Sequence, residues 1–142
     1  MYLFTGQRDH RIDAKDRVVI PSAYAAEITT NGRGIVHLTP GPSGKCLRAY
    51  PDDVFREMAS SMRPDPFEED PRKARFFGHA EACDLTGPGR TTIPERFRVL
   101  FPKGEVRVVG VNTYLELWDP ELWDATYGSG ISPNGIPSPS PR

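Results

Sequence analysis

Two cysteines, Cys46 and Cys83, in a chain of 142 residues are too few for a disulfide framework or a four-thiolate zinc site. Charge of either sign is not in excess. Lys and Arg number 18 against 19 Asp and Glu, for a formal net charge of −1. That balance excludes a polybasic chain that coats nucleic acid or an anionic membrane by bulk charge. No apolar run approaches the roughly 20 residues needed to cross a bilayer. The apolar patch in Met1-Tyr2-Leu3-Phe4 is too short, and charge follows it too soon, for the core of a signal peptide. These shortages predict a soluble protein of a reducing, cytoplasmic compartment with no membrane partner. Also missing are the Gly-x-Ser-x-Gly elbow, the P-loop and the dinucleotide fingerprint. Gly87-Pro88-Gly89-Arg90 is not a phosphate loop, because it follows one predicted strand and enters another. His79 and Cys83 stand four apart, a spacing two metal ligands share on a helix, but the chain has only three His and two Cys, and a helix-to-strand passage is predicted there. The acids at Asp119 and Glu121 are explained by the dipole of a helix N-terminus. The expectation is no catalytic residue, no metal and no cofactor.

What the chain has in plenty is proline, 15 residues or roughly 11% of the total, about twice ordinary usage. Many of these prolines punctuate an internal repeat. Ile12-Asp13-Ala14-Lys15-Asp16-Arg17-Val18-Val19-Ile20-Pro21 has a counterpart in Leu85-Thr86-Gly87-Pro88-Gly89-Arg90-Thr91-Thr92-Ile93-Pro94, with Arg17 and Arg90, Ile20 and Ile93, and Pro21 and Pro94 all 73 apart. Downstream, Leu47 to Phe55 matches Leu115 to Trp123 at a spacing of 68. The first copy therefore carries about five more residues, placed in the turn-rich stretch Thr39 to Gly44.

Each copy reads alike. A strand enters a tight turn (Asp13 to Asp16; Thr86 to Gly89). A β-branched arm follows, and then a proline opens a short helix at its first position, where the missing N–H costs nothing. Two further strands come next, the second pair turning at Asn112-Thr113. A last helix starts at Pro51 or at Asp119-Pro120. Pro21, Pro51, Pro94 and Pro120 thus open helices at matching places. The predicted organisation is a first repeat at 7–53, connecting helices and a linker at 54–81, a second repeat at 82–125, and a disordered tail at 128–142 rich in Gly, Ser and Pro. A copy of 55–60 residues is marginal alone, so the two are expected to interlock around one core.

Strand, Asp-x-x-x-Arg, short arm with Ile-Pro, helix, hairpin and a Leu-x-x-aromatic step into a last helix resembles the AbrB/SpoVT-type swapped-hairpin domain. Two tandem copies, with Gly78-His79-Ala80 before the second and Leu115-Glu116-Leu117-Trp118-Asp119 within it, resemble the MraZ family over residues 1 to about 126. The resemblance implies an α+β, mostly β fold: two tandem swapped-hairpin, AbrB-like β-barrel repeats, interlocked with pseudo-two-fold symmetry and followed by short helices. It also implies sequence-specific binding of double-stranded DNA at repeated promoter sites upstream of its own operon of cell-wall and division genes, as a repressor. With that come ring-like homo-oligomers and a nucleoid-associated location. Two positions depart from the family pattern. Asp16 stands where Gly is usual, placing an acid beside Arg17 at a turn position that favours φ > 0. Thr86 stands at the acidic position, leaving Arg90 without an orienting carboxylate.

The residues compatible with such binding are Arg8, Arg11, Lys15 and Arg17, on one strand and its turn, with Asp13 holding Arg17 in a fixed rotamer and Arg90 as the second copy's equivalent. Arginine makes bidentate hydrogen bonds to guanine in the major groove, while lysine chiefly neutralises phosphate. Arg96 and Arg98, on the helix after the second arm, read first as solvated helix residues. Against the cluster stand Asp9, Asp13 and Asp16, which nearly cancel it and fit an ordinary solvated surface with local ion pairs. Tyr50, Phe55, Trp118, Leu122 and Trp123 are candidate packing residues for core or assembly. The alternatives are an AbrB-like antitoxin that grips a toxin and represses its operon, and a small metal-dependent enzyme.

Overall fold

The computed structural model describes residues 2–128. The predicted tail, apart from Gly128, lies outside the described residues. The chain runs β1 (Gln7–Arg11), β2 (Arg17–Val19), α1 (Ser22–Asn31), β3 (Ile35–Pro40), β4 (Leu47–Pro51), α2 (Asp52–Ser60), α3 (Pro71–His79), β5 (Glu81–Asp84), β6 (Arg90–Thr92), a 3-10 helix (Glu95–Leu100), β7 (Glu105–Val111), β8 (Tyr114–Trp118) and α4 (Pro120–Tyr127). It is an α+β fold in which antiparallel strands dominate. Pro120 takes the first position of α4, as expected, whereas Pro21, Pro51 and Pro94 stand one residue earlier, as caps with φ of −47°, −55° and −53°. The proline ring fixes that φ in either place, so it starts the helix from both.

Six strands form one sheet in the order β1-β7-β8-β4-β3-β5, and β2 pairs with β6 in a separate two-stranded ribbon. When each strand is exchanged for its counterpart in the other repeat, the order reads the same from either end. Only the hairpins β3–β4 and β7–β8 pair within a repeat; β1–β7, β4–β8, β3–β5 and β2–β6 all join one repeat to the other.

The expected barrel is corrected by this topology. β1 and β5 end as free edges on opposite sides of the sheet. What closes the core is side-chain packing. The inward row Val36, Leu38, Leu47, Ala49, Val106, Val108, Leu115 and Leu117 meets Val18 and Ile20 of the first arm, Ile28 of α1, and Ile93, Phe97 and Phe101 around the 3-10 helix. Alternation along each strand sends the next residues to the other face, where α2, α3 and α4 lie. There Val109, Trp118 and Cys46 pack with Leu122 and Trp123 of α4, and Tyr50 meets Phe55 of α2 and Phe76 of α3. Fully burying one such large apolar side chain stabilises the fold by about 1.5–3 kcal/mol.

The N-terminal segment lies across the β7–β8 hairpin. Phe4 is fully buried and bridges Asn112. A Cβ on Gly110 would stand 2.5 Å from the Phe4 carbonyl carbon and the Thr5 nitrogen, so only glycine admits this segment. None of the described helices is long and apolar enough to cross a membrane.

Candidate nucleic-acid interface

The β2–β6 ribbon is three residues long on each side, with Arg17 opposite Thr92, Val18 opposite Thr91 and Val19 opposite Arg90. Val18 and Thr91 point inward and are 1% exposed. Period-2 alternation therefore puts Arg17, Val19, Arg90 and Thr92 on the outer face. Arg17 and Arg90 are diagonal neighbours there, at roughly 7–8 Å between backbones. They are also the two equivalent positions of the repeat. The side chain of neither Arg90 nor Lys15 takes an ion pair among the described residues.

The first turn is organised by Asp13. Its Oδ1 accepts from the backbone N–H groups of Lys15 and Arg17, both at 2.9 Å, and its Oδ2 accepts from Arg17 Nε at 2.9 Å. The Arg17 backbone N–H, first among these contacts, holds the Asp13 carboxyl below the usual carboxylate range. The acid thus stays charged and keeps the guanidinium in one orientation. Only Nε of Arg17 is engaged among the described residues, which leaves its two terminal amino groups as uncommitted donors.

The second turn has the same backbone with different side chains. Thr86 N–H donates to the Arg90 carbonyl at 2.8 Å, as Asp13 N–H does to the Arg17 carbonyl at 2.9 Å. In place of a carboxylate, the Thr86 carbonyl accepts from Arg90 N–H at 2.9 Å, and the Arg90 guanidinium is left unclamped.

The two departures at the turns acquire partners from across the repeat boundary. Asp16 adopts φ 63° and Gly89 φ 99°, the conformation the repeat requires at this place. The Asp16 carboxylate does not oppose Arg17, because it accepts a hydrogen bond from Arg98 on the 3-10 helix of the second repeat. At the equivalent place in the other half, Gly89 lies over Ala25 of α1, so tightly that an added Cβ would stand 2.8 Å from the Ala25 Cβ. One half uses Asp with Arg and the other Gly with Ala. Each turn is also tied down by the opposite arm: Ile93 N–H donates to the Asp16 carbonyl and Ile20 N–H to the Gly89 carbonyl, both at 2.8 Å.

The remaining basic residues are less united than their spacing suggests. Arg8 and Arg11 are three apart on β1, so they fall on opposite faces. Arg11 pairs with Glu105 at 3.0 Å on the face where Arg107 bridges Asp9 and Asp124. Arg8 lies on the other face and is exposed; its charge opposes the rise that burial imposes on the Tyr24 hydroxyl. The structure therefore brings together Asp13, Lys15, Arg17 and Arg90, and sets Arg8 and Arg11 apart. Arg98 joins the site by holding the first turn, a role for which no local signal exists in the sequence, since its partner Asp16 lies in the other repeat. Arg96 binds Glu81 at 3.0 Å and lies over the Phe97 ring, away from the ribbon's outer face.

The candidate metal pair is dispersed: His79 ends α3, while burial pushes the Cys83 thiol on β5 up to about 11. Asp119 caps α4 by accepting from Leu122 N–H at 3.1 Å.

A family model described as "MraZ protein, putative antitoxin-like" matches residues 76–130, a span containing the second turn, Arg90, the 3-10 helix and the β7–β8 hairpin. Over that span the chain is similar to the MraZ family, and the same turn and arm recur in its first half.

Proposed function

We propose that the protein is a sequence-specific transcriptional regulator that binds double-stranded DNA, acting as a repressor of its own cell-division and cell-wall operon as a nucleoid-associated homo-oligomer. The observation that carries this reading is the outer face of the β2–β6 ribbon, with Arg17 and Arg90 at equivalent places. B-DNA's major groove admits a two-stranded β-ribbon, and two arginines about 7–8 Å apart span about two base-pair steps. Arg17, oriented by Asp13, reads a guanine edge; Lys15 meets phosphate; Arg90 serves as the second reader. Arg8 and Arg11 are peripheral in this arrangement and contribute to the general field alone.

With so few committed cations, one ribbon binds weakly at cellular salt. Several ribbons on repeated sites raise apparent affinity by roughly 10²–10⁴ without a new contact, which is why the reading includes assembly.

The test is a titration of the full chain against the DNA upstream of its own gene at several salt concentrations. Arg17→Ala is expected to weaken specific binding roughly 5- to 150-fold, while binding to unrelated DNA changes little. Arg11→Ala, whose guanidinium is already paired with Glu105, is expected to change specific binding less than threefold, consistent with an exposed ion pair. Equal affinity for upstream and unrelated DNA would overturn the reading. The family description favours one further possibility, an antitoxin that also grips a toxin; co-purification with the product of a neighbouring gene tests it.

A further inference from the structure

On the far side of the sheet from the core, a groove of about 370 Å³ opens between α2, α3 and the ends of β3 and β4. That is within the size range of ligand pockets. Tyr50, Met58, Met62, Phe76 and Phe77 make it apolar, with the Tyr50 and Phe76 rings 5.6 Å apart. Methionines give such a surface the pliability to accept an inserted ring. Its rim is basic. Arg75 has no ion pair among the described residues, and the only one of Arg72 is a 3.9 Å approach to Asp70. An apolar anchor flanked by carboxylates is the matching chemistry.

The chain displays such an anchor itself. Phe67 is 94% exposed, the most exposed large apolar side chain among the described residues. It stands in Pro64-Asp65-Pro66-Phe67-Glu68-Glu69-Asp70, between α2 and α3. The turn is ordered: Phe67 N–H donates to Asp65 Oδ1 at 3.0 Å and Glu68 N–H to the Asp65 carbonyl at 3.1 Å. Two prolines restrict it further. The ring is thus held out in water by a turn that loses little freedom on docking. Asp65 and Asp70 each turn Oδ1 to backbone N–H groups and Glu68 pairs with Lys73, whereas Glu69 has no partner among the described residues.

We infer that Phe67 of one copy enters the groove between α2 and α3 of a second copy, with Glu69 against the Arg72 and Arg75 rim. Turn and groove adjoin each other in the chain, so the contact is made either mutually in a two-fold pair or head to tail around a ring. This names the contact for the assembly in the reading above. It is tested without DNA, so its failure leaves the DNA titration to stand on its own.

The experiment is sedimentation of the full-length chain across a concentration series. Phe67→Ala and Arg75→Glu are both surface changes, and circular dichroism and thermal melting check that the fold is kept. The wild type is expected to assemble, and each variant to weaken assembly at least tenfold. A mixture of the two is expected to recover a dimer, because the intact groove of the Phe67→Ala chain meets the intact Phe67 of the Arg75→Glu chain. A monomeric wild type, unchanged assembly of Phe67→Ala, or no recovery in the mixture would each overturn the proposal.

Discussion

Position 16 and position 89 are the same place in two copies of a turn, and they show how one residue's chemistry is set by its neighbour across the repeat boundary. Both need positive φ. Asp16 tolerates it and joins Arg98; Gly89 accepts it freely and lets Ala25 approach. Gly89→Asp therefore meets both obstacles, an unfavourable φ and a Cβ that overlaps Ala25. It is expected to cost about 2–4 kcal/mol, lowering the thermal midpoint by roughly 5–15 °C for a domain of this size. Asp16→Gly relieves the backbone but gives up the Arg98 pair, so the two effects offset to within about 1 kcal/mol. Thermal melting of the two variants side by side checks the asymmetry; equal losses would contradict it.

Elements depend on similar cross-links, and the start of α2 is the clearest. Asp52 is 2% exposed and accepts from Arg33 and His37, each at 2.7 Å, and from Arg56 at 3.0 Å. Burial alone would raise its pKa, but the hydrogen bonds from His37, Arg33 and Arg56 outweigh it and hold the carboxyl well below the usual carboxylate range. A depressed folded-state pKa gives stability that is present above the unfolded value, near 3.9, and is lost as pH falls below it. Asp52→Asn is expected to cost about 1.5–3 kcal/mol at neutral pH. The gap between wild type and variant should narrow as pH drops below about 4; denaturant unfolding at pH 7 and pH 3 measures it.

The element scale also separates what was legible in the sequence from what was not. Turns, arms and helix starts were legible because proline and positive-φ residues act within a few positions, and so were the hairpins. The Asp13–Arg17 clamp was legible for the same reason, since it spans one turn. The open sheet was not, because nothing local tells β1 to pair with β7, some 98 residues away (Asp9 opposite Arg107). Nor was the Asp16–Arg98 pair, which is 82 residues apart. The separation of Arg8 from Arg11 lay within reach: an odd spacing on a strand puts side chains on opposite faces.

For the whole molecule, the pairing scheme has a direct consequence for stability. Four of the six strand pairings join the two repeats, and the core draws on both. Fragments 1–63 and 64–142 are each expected to show no cooperative thermal transition alone. Mixed, they should regain strand circular dichroism and a single transition, while the intact chain unfolds in one step. A fragment that melts cooperatively by itself would show that one repeat suffices. The same covalent union fixes an inequality that a dimer of identical subunits could not keep. The arginine of the first arm is clamped by Asp13 and that of the second is not. Two identical arms related by exact symmetry are blind to which way the double helix runs and match a palindrome. Two unequal arms in one chain have a built-in polarity, so under the proposed DNA-binding reading each subunit is expected to lie on its site in one orientation, and the operator expected to suit it is a directional sequence repeated head to tail; swapping in an inverted repeat of the same half-sites should weaken binding.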